Sequence, residues 1–224
     1  MITVVVLSKY PEIFEGFRAS VERDAPHLEK IVVWDCMNLP EIEGWYSIAG
    51  SRPFKIARNA NIGWLWVNTD ILYCGDDVRF IEPDTIKRLS EVAYADPKIG
   101  IVGARIQGLT PSQPFVPFVC MFIKRAVIDR VGYLDERFEG YGCEDASYCV
   151  DATLAGFKVG FANNVTVQHQ MMTTFLRAHT QEQLMQQDAE NWKRFADKYG
   201  LPNDRKKIWN WMRDCGKARG ICPL

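Results

Sequence analysis

The protein has 224 residues, 47% of them hydrophobic and 25% charged, a composition that excludes a largely disordered chain and allows a sizeable buried core. Its seven cysteines are an odd number without a C-x-x-C pair, which excludes a disulfide framework and a zinc–thiolate site. No stretch approaches the ~18 consecutive apolar residues of a transmembrane helix, so we expect no membrane span and, with reduced thiols, a cytoplasmic location.

Apolar runs and helix-period patterns alternate along the first half of the chain. Continuous apolar, β-branched runs predict buried strands at residues 2–7, 31–34, 71–74 and 99–106. Helical periodicity between them predicts helices at residues 11–23, 53–67 and 83–95. This alternation predicts a Rossmann-like, doubly wound α/β fold with a mostly parallel sheet, in which ligands bind beyond the carboxyl ends of the strands.

The second half is less regular and predicts a smaller antiparallel portion of the sheet. A breaker-rich loop at residues 108–114 precedes a predicted strand at 115–124, which Pro117 interrupts. The patterns that follow predict short helices at 126–131 and 144–155, two strands at 158–162 and 165–168, and a long polar helix at 181–199.

Two adjacent carboxylates, Asp76 and Asp77, follow the strand at 71–74 after Gly75. Like charges side by side repel each other, and a bound divalent cation removes that penalty. The alternative is a solvated turn, because Gly and Asp are common in turns for conformational reasons. Ser8 and Asp35 also follow strands of the predicted parallel sheet, so all four side chains are expected at one edge.

A second acidic pair, Glu144 and Asp145, falls in the first turn of a predicted helix. Helix capping and the helix dipole explain such a pair without any chemistry, although the glycines just upstream allow a tight turn against a bound molecule. His169 follows a strand end, as Asp77 does, so both could reach one ion. Imidazole and carboxylate suit Mn²⁺ or Mg²⁺ when phosphate oxygens and water complete the shell.

Residues 2–169 resemble the family 2 glycosyltransferases of the GT-A type. The resemblance lies in the order of the motifs: acids at strand ends, then the Glu-Asp pair, then the histidine. The resemblance implies that Ser8, Tyr10 and Asp35 bind the nucleotide and that Asp77 and His169 bind the metal. It implies further that Asp145, beside Glu144, is the catalytic base. Gly75 stands where the family often has an acid, and Asp76 would substitute for it in holding the ribose and donor sugar. Arg58 matches the helix that faces the diphosphate, although a solvated helix face explains it equally well.

The resemblance implies a metal-dependent inverting glycosyltransferase that moves a sugar from a nucleotide-sugar donor to a hydroxyl acceptor. A saccharide or glycan is the first choice of acceptor, and a modified nucleic-acid base is the second. A divalent ion neutralises charge on the diphosphate leaving group, and Asp145 takes the acceptor proton. A helix N-terminus lowers the pKa of such a base, so Glu144 is expected to counter that effect.

Two other functions stay open on the sequence. A sugar nucleotidyltransferase shares a related sheet, but it needs a glycine-rich loop after the first strand, and residues 8–12 contain no glycine. A non-catalytic carbohydrate-binding or scaffold module would not require Asp77, Asp145 and His169 together.

The C-terminal segment, residues 173–224, lies outside the resemblance and is predicted to be a basic helical extension of a domain at 1–172. From Asn191 onward there are nine Lys or Arg residues and three Asp or Glu residues, although the whole chain has a net charge of −1. Residues 205–213 interleave cations with tryptophans, a pattern that suits a nucleic acid or an anionic surface. The alternative is that Trp209 and Met212 pack on the body while the cations stay solvated.

Overall fold

The computed structural model describes residues 1–35, 39–140, 142–170, 177 and 179–218. Within these ranges the strands are β1 Ile2–Ser8, β2 Glu29–Trp34, β3 Tyr46–Ala49, β4 Asp70–Gly75, β5 Val78–Phe80, β6 Ile99–Ile106, β7 Cys120–Ile123 and β8 Lys158–His169. The helices are α1 Pro11–Asp24, α2 Ile56–Leu65, α3 Thr85–Tyr94, α4 Arg125–Val131, α5 Glu144–Leu154, α6 Gln181–Tyr199 and α7 Arg205–Ala218.

All eight described strands form one sheet in the order β3-β2-β1-β4-β7-β6-β8-β5. Strands β3, β2, β1 and β4 are parallel, and β8 is parallel to β6, whereas β7 and β5 run antiparallel to their neighbours. The predicted doubly wound, mostly parallel α/β sheet with an antiparallel portion is therefore confirmed. The carboxyl ends of β1, β2 and β4 meet at one edge, as parallel pairing requires.

Helices cover both faces of the sheet with separate apolar clusters. On one face Phe14 and Phe17 of α1 pack with Trp34 of β2, and the ring centroids of Phe14 and Trp34 are 5.3 Å apart. On the other face Trp64 of α2 contacts Tyr148 of α5 with centroids 5.4 Å apart. The alternation of strand and helix thus buries both sides of β1 and β4, which accounts for their continuous apolar sequences.

Some predicted boundaries are wrong for identifiable reasons. The two strands predicted at 158–162 and 165–168 form the single strand β8, because exposed Asn163 and Asn164 lie in an irregularity where the register with β6 shifts. The strand predicted from residue 115 begins only at Cys120. Pro117 cannot donate to a ladder, and the Phe118 N–H is used outside the sheet.

The predicted start of α3 at Pro83 is also wrong, because the helix begins at Thr85. A side chain from α1 defines this start: the Asp24 carboxylate accepts hydrogen bonds of 3.0 Å from the backbone N–H groups of Thr85 and Ile86. Strands β3 and β5 were not predicted. They are short, with four and three residues, and neither has the long apolar run that marks β1 or β4.

The C-terminal helices α6 and α7 pack on α5 and belong to a third apolar cluster, which includes Val150, Phe195, Ile208 and Met212, with Trp209 packed against it. The alternative in which Trp209 and Met212 contact the body therefore describes the structure, and Lys206 and Lys207 are exposed. Five cysteines of the described ranges are free thiols, namely Cys74, Cys120, Cys143, Cys149 and Cys215. None of the described helices has the length and apolar character needed to cross a bilayer.

Candidate functional site

A cavity of about 770 Å³ lies at the edge of the sheet where the parallel strands end. Its wall combines the ends of β1, β4 and β8, the segment before β7, the N-terminus of α5 and parts of α6 and α7. Seven side chains singled out from the sequence line this cavity: Ser8, Asp35, Asp76, Asp77, Glu144, Asp145 and His169. Residues distant in the chain therefore share one space.

Asp77 and His169 are brought together by strand pairing. Strand β5 begins directly after Asp77 and runs antiparallel to β8, with Val78 opposite His169. The two side chains are 10% and 15% exposed, and His169 Nε2 lies 3.2 Å from Asp77 Oδ1. Among the described residues the buried Nδ1 of His169 has no hydrogen-bond partner.

This pair fits a divalent cation. Two ligands at right angles on an ion with bonds of about 2.1 Å lie about 3.0 Å apart, close to the separation of these two atoms. In the described part of the chain no group of three or more His, Cys, Asp or Glu side chains is suited to a metal. A cation at Asp77 and His169 would therefore need ligands from a bound molecule or water.

Two further polar contacts lie on the side of the cavity formed by β1 and β2. Ser8 Oγ donates a 2.7 Å hydrogen bond to Asp76 Oδ2, and both side chains are buried. Lys9 Nζ lies 3.3 Å from Asp35 Oδ2, and both residues line the cavity. Lys9 was not singled out from the sequence. This side therefore presents carboxylates beside an ammonium group.

Asp145 receives backbone hydrogen bonds at the start of α5. Ala146 N–H donates to Oδ1 at 2.7 Å, and the N–H of Phe118, which lies before β7 and outside the sheet, donates to Oδ2 at 3.2 Å. These bonds lower the pKa of Asp145, but burial raises it more, and the resulting pKa is about 6. Burial therefore outweighs the effect of the helix N-terminus that the sequence led us to expect.

Glu144 is buried more fully than Asp145. Burial first, and then the neighbouring carboxylate of Asp145, raise the pKa of Glu144 well above its ordinary value. The preceding backbone is unusual, since Gly142 has φ +98° and the non-glycine Cys143 has φ +75°. A left-handed conformation is costly at Cys143, and such strain is concentrated at functional sites.

Tyr10 and Arg58 are not brought to the cavity wall. Tyr10 precedes α1, and the Arg177 guanidinium lies 5.3 Å from its ring centroid. Arg58 Nε donates a 2.8 Å hydrogen bond to Glu136 Oε2 in an exposed ion pair. The interpretation of Arg58 as part of a solvated helix face agrees with this contact.

The contribution of the C-terminal helices to the cavity was not predicted from the sequence. It comes from Gln181, Leu184, Met185, Asp188, Trp192, Arg205 and Trp209. Arg205 and Trp209 are four residues apart on α7, so they lie on the same side of the helix. That spacing within the basic, tryptophan-containing segment was the available signal.

Solved structures with the same architecture are glycosyltransferases of the GT-A type, and the chain has that fold. The mannosyltransferase PcManGT from Pyrobaculum calidifontis, in complex with GDP-Man and Mn²⁺, is similar with a TM-score of 0.67 at 12% identity, over 97% of this chain and 73% of that chain. GalNAc-T7 with UDP, GalNAc and Mn²⁺ gives a TM-score of 0.71 at 12% identity, over 100% of this chain and 55% of that chain. The catalytic domain of Drosophila beta1,4galactosyltransferase 7, in complex with xylobiose, gives a TM-score of 0.54 at 16% identity, over 83% of this chain and 79% of that chain. No protein-family model and no curated protein matches the sequence.

Proposed function

We propose that the protein is a metal-dependent, inverting glycosyltransferase of the family 2 type, which transfers a sugar from a nucleotide-diphosphate donor to a hydroxyl group. The observation that carries this proposal is the presence of Asp77, His169 and Asp145 in the wall of one cavity. A cation-binding pair and a carboxylate with a raised pKa are the two groups that this reaction requires. The similar proteins that were solved with GDP-Man or UDP and Mn²⁺ support the assignment.

In this proposal the donor nucleotide binds on the side of the cavity formed by β1 and β2. Asp35 accepts hydrogen bonds from N–H or O–H groups, and Lys9 donates to carbonyl oxygens, so the pair complements the polar edge of a base. Asp76, held in place by Ser8, accepts hydrogen bonds from hydroxyl groups of the ribose or donor sugar. Arg58 is given no role in donor binding, because it forms an ion pair with Glu136.

Asp77 and His169 would hold a Mn²⁺ or Mg²⁺ ion through Oδ1 and Nε2. The ion supplies electrostatic stabilisation of the diphosphate as it leaves. Strand pairing sets Val78, the residue after Asp77, opposite His169, so the backbone that carries both side chains is in place before the ligand binds.

Asp145 is assigned as the general base that removes the proton of the attacking acceptor hydroxyl. A pKa of about 6 leaves the carboxylate mostly ionised at neutral pH but more basic than an ordinary aspartate. The Phe118 and Ala146 N–H groups fix its orientation. A single displacement by the hydroxyl from the face opposite the leaving group inverts the anomeric carbon.

The nucleotide part of the proposal is tested by thermal shift with UDP, GDP, ADP and CDP, with and without Mn²⁺. At a ligand concentration of 100 Kd, one nucleotide is expected to stabilise the protein by about 2.7 kcal/mol, which corresponds to a rise in Tm of roughly 5–11 °C. Asp77→Asn is expected to abolish the Mn²⁺-dependent part of this rise. The matched control is Asp84→Asn, an exposed carboxylate at φ +57°, a conformation that asparagine tolerates.

The catalytic part is tested with Asp145→Asn. This variant is expected to lose transfer while keeping the nucleotide-dependent shift in Tm, and loss of both would refute its assignment as the base. A shift with nucleoside triphosphates that is accompanied by release of pyrophosphate would favour a sugar nucleotidyltransferase. Saccharide binding without any nucleotide effect would favour a non-catalytic module.

A further inference from the structure

The part of the cavity next to Asp145 is formed by residues of α6 and α7 that have no role in holding the nucleotide or the metal. We call this part the helical subsite and define it by Asp188, Trp192, Arg205 and Trp209, all of which line the cavity. Asp188 lies against the start of α5, because a Cβ built on Gly142 would be 3.1 Å from Asp188 Oδ1. The helical subsite therefore adjoins the proposed general base.

The helical subsite is built as a fixed polar group on an aromatic surface. Trp192 Nε1 donates a 3.1 Å hydrogen bond to Asp188 Oδ1, and the Arg205 guanidinium pairs with Asp188 Oδ2. The same guanidinium lies 4.8 Å from the Trp192 ring centroid. These contacts hold the Asp188 carboxylate in one orientation, and its remaining lone pairs are available to accept hydrogen bonds.

Trp209 supplies a second, independent observation. The Nε1 atom of this partly buried, cavity-lining side chain is inaccessible to solvent and has no hydrogen-bond partner among the described residues. A buried N–H without an acceptor costs free energy, and because water does not reach this atom, a ligand oxygen can satisfy it only if the Trp209 ring shifts toward the cavity. Together with Asp188, the subsite offers both a donor and an acceptor beside apolar ring surface.

The charges of the helical subsite disfavour an anionic ligand. Among the described lining residues near the proposed base, Asp145 is mostly ionised at neutral pH, and the one cation, Arg205, is already paired with Asp188. Lys206 and Lys207, which follow Arg205 on α7, are exposed and do not line the cavity. A nucleic acid needs uncompensated cations for its phosphates, and this surface has none to offer among those residues.

We infer that the helical subsite binds the acceptor and that the acceptor is a neutral saccharide, an inference that rests on the proposed function. A sugar ring presents apolar C–H groups, which pack on Trp209, and hydroxyl groups, which both donate and accept hydrogen bonds. One hydroxyl would donate to Asp188, and another would accept from Trp209 Nε1 once the Trp209 ring has shifted toward the cavity. This arrangement places a further hydroxyl next to Asp145.

The inference is tested by measuring transfer with a panel of acceptors, using the nucleotide sugar and Mn²⁺ identified by thermal shift. Neutral methyl glycosides and neutral disaccharides are expected to be substrates. Uronic-acid glycosides and a single-stranded oligonucleotide with 5-hydroxymethylcytosine are expected to be poor substrates. Preferred transfer to the anionic acceptors would overturn the inference.

Two variants test the residues. Trp209→Phe keeps the apolar surface and removes the N–H, so it is expected to raise the acceptor KM about 3- to 10-fold with the donor KM unchanged. Asp188→Asn is also expected to raise the acceptor KM with the donor KM unchanged. It is assayed at pH 8 so that Asp145 is ionised. The controls are Trp211→Phe and Glu190→Gln, both of which should leave transfer unchanged. Trp211 packs on Tyr199 away from the cavity, and Glu190 is an exposed acid of α6.

The outcomes separate this inference from the proposed function. If no nucleotide binds with Mn²⁺, the proposed function fails, and the inference fails with it. If nucleotide binds but no neutral saccharide is glycosylated, or if Trp209→Phe and Asp188→Asn leave the acceptor KM unchanged, only the inference fails. Retention of the nucleotide-dependent shift in Tm by both variants shows that they fold.

Discussion

The pH dependence of transfer gives the sharpest test of Asp145 as the general base. A base must be ionised to accept a proton, and burial raises the pKa of this carboxyl from 3.8 to about 6. A pKa of about 6 means that activity is nearly complete above about pH 7, is half of its maximum near pH 6 and is lost as the pH falls further. An aspartate with an ordinary pKa would remain ionised, and active, down to about pH 5.

The size of the effect follows from the ionised fraction. With a pKa of about 6, roughly 90% of Asp145 is ionised at pH 7 and roughly 10% at pH 5. The rate is therefore expected to fall about tenfold between these pH values. With a pKa of 3.8, the fall over the same interval would be less than about 10%.

The assay measures kcat for sugar transfer from pH 5 to pH 8.5 at saturating donor, acceptor and Mn²⁺. Nucleotide binding is followed over the same range by thermal shift, so that any loss of metal or donor at low pH is separated from loss of the base. Asp188→Asn supplies a second check. The negative charge of Asp188 raises the pKa of Asp145, so its removal is expected to move the inflection to lower pH.

A rate that stays constant between pH 5 and pH 7 with nucleotide fully bound would refute the assignment of Asp145. An inflection near pH 6 that persists in residual transfer by Asp145→Asn would refute it as well, because another group would then be titrating.

Three other variants test contacts around the cavity and its C-terminal wall. Gly75→Ala is expected to lower the affinity for Mn²⁺ on the order of tenfold in a nucleotide titration, because its Cβ would lie 2.9 Å from Asp77 Oδ1 and displace that carboxylate; unchanged affinity would refute this role. Ser8→Ala removes a donor from buried Asp76 and is expected to destabilise the fold by about 1–3 kcal/mol in urea denaturation. The effect of Ser90→Ala, at a partly exposed position, is expected to be smaller. Ile208→Ala, at a fully buried position of α7, is expected to lower the free energy of unfolding by about 2–5 kcal/mol, with unfolding still in one cooperative transition. Ile81→Ala, at an exposed position, should have little effect. A separate early transition would show that residues 173–224 unfold as an independent unit.

The sheet was predictable because its central strands are buried on both faces. Continuous apolar sequence at β1 and β4 has few alternative structures, whereas the exposed edge strand β3 carries no comparable signal. The start of α3 depends on Asp24, which is 61 residues away from Thr85 in sequence. Local patterns do not contain contacts of this kind.

The candidate site was predictable where its residues follow strand ends, because topology alone brings such residues to one edge. Ser8, Asp35, Asp76 and Asp77 are placed in this way. The properties of Asp145 were not predictable from local sequence, because its pKa depends on burial, on the N–H of Phe118 before β7 and on Asp188 of α6. Arg58 lies on the predicted helix, but the position of Glu136 decided its partner.

The C-terminal helices form part of the cavity wall as well as part of the core. Lys198 Nζ of α6 contacts Ser147 Oγ at 2.8 Å and Asp151 Oδ2 at 2.7 Å, both on α5, and so ties α6 to the helix that carries Asp145. Because α5 is held between the sheet and these helices, a change at this contact is expected to reach the orientation of Asp145. The Lys198→Met variant distinguishes packing from positioning: loss of stability alone indicates packing, whereas a fall in kcat at full nucleotide occupancy indicates that the C-terminal helices position the base.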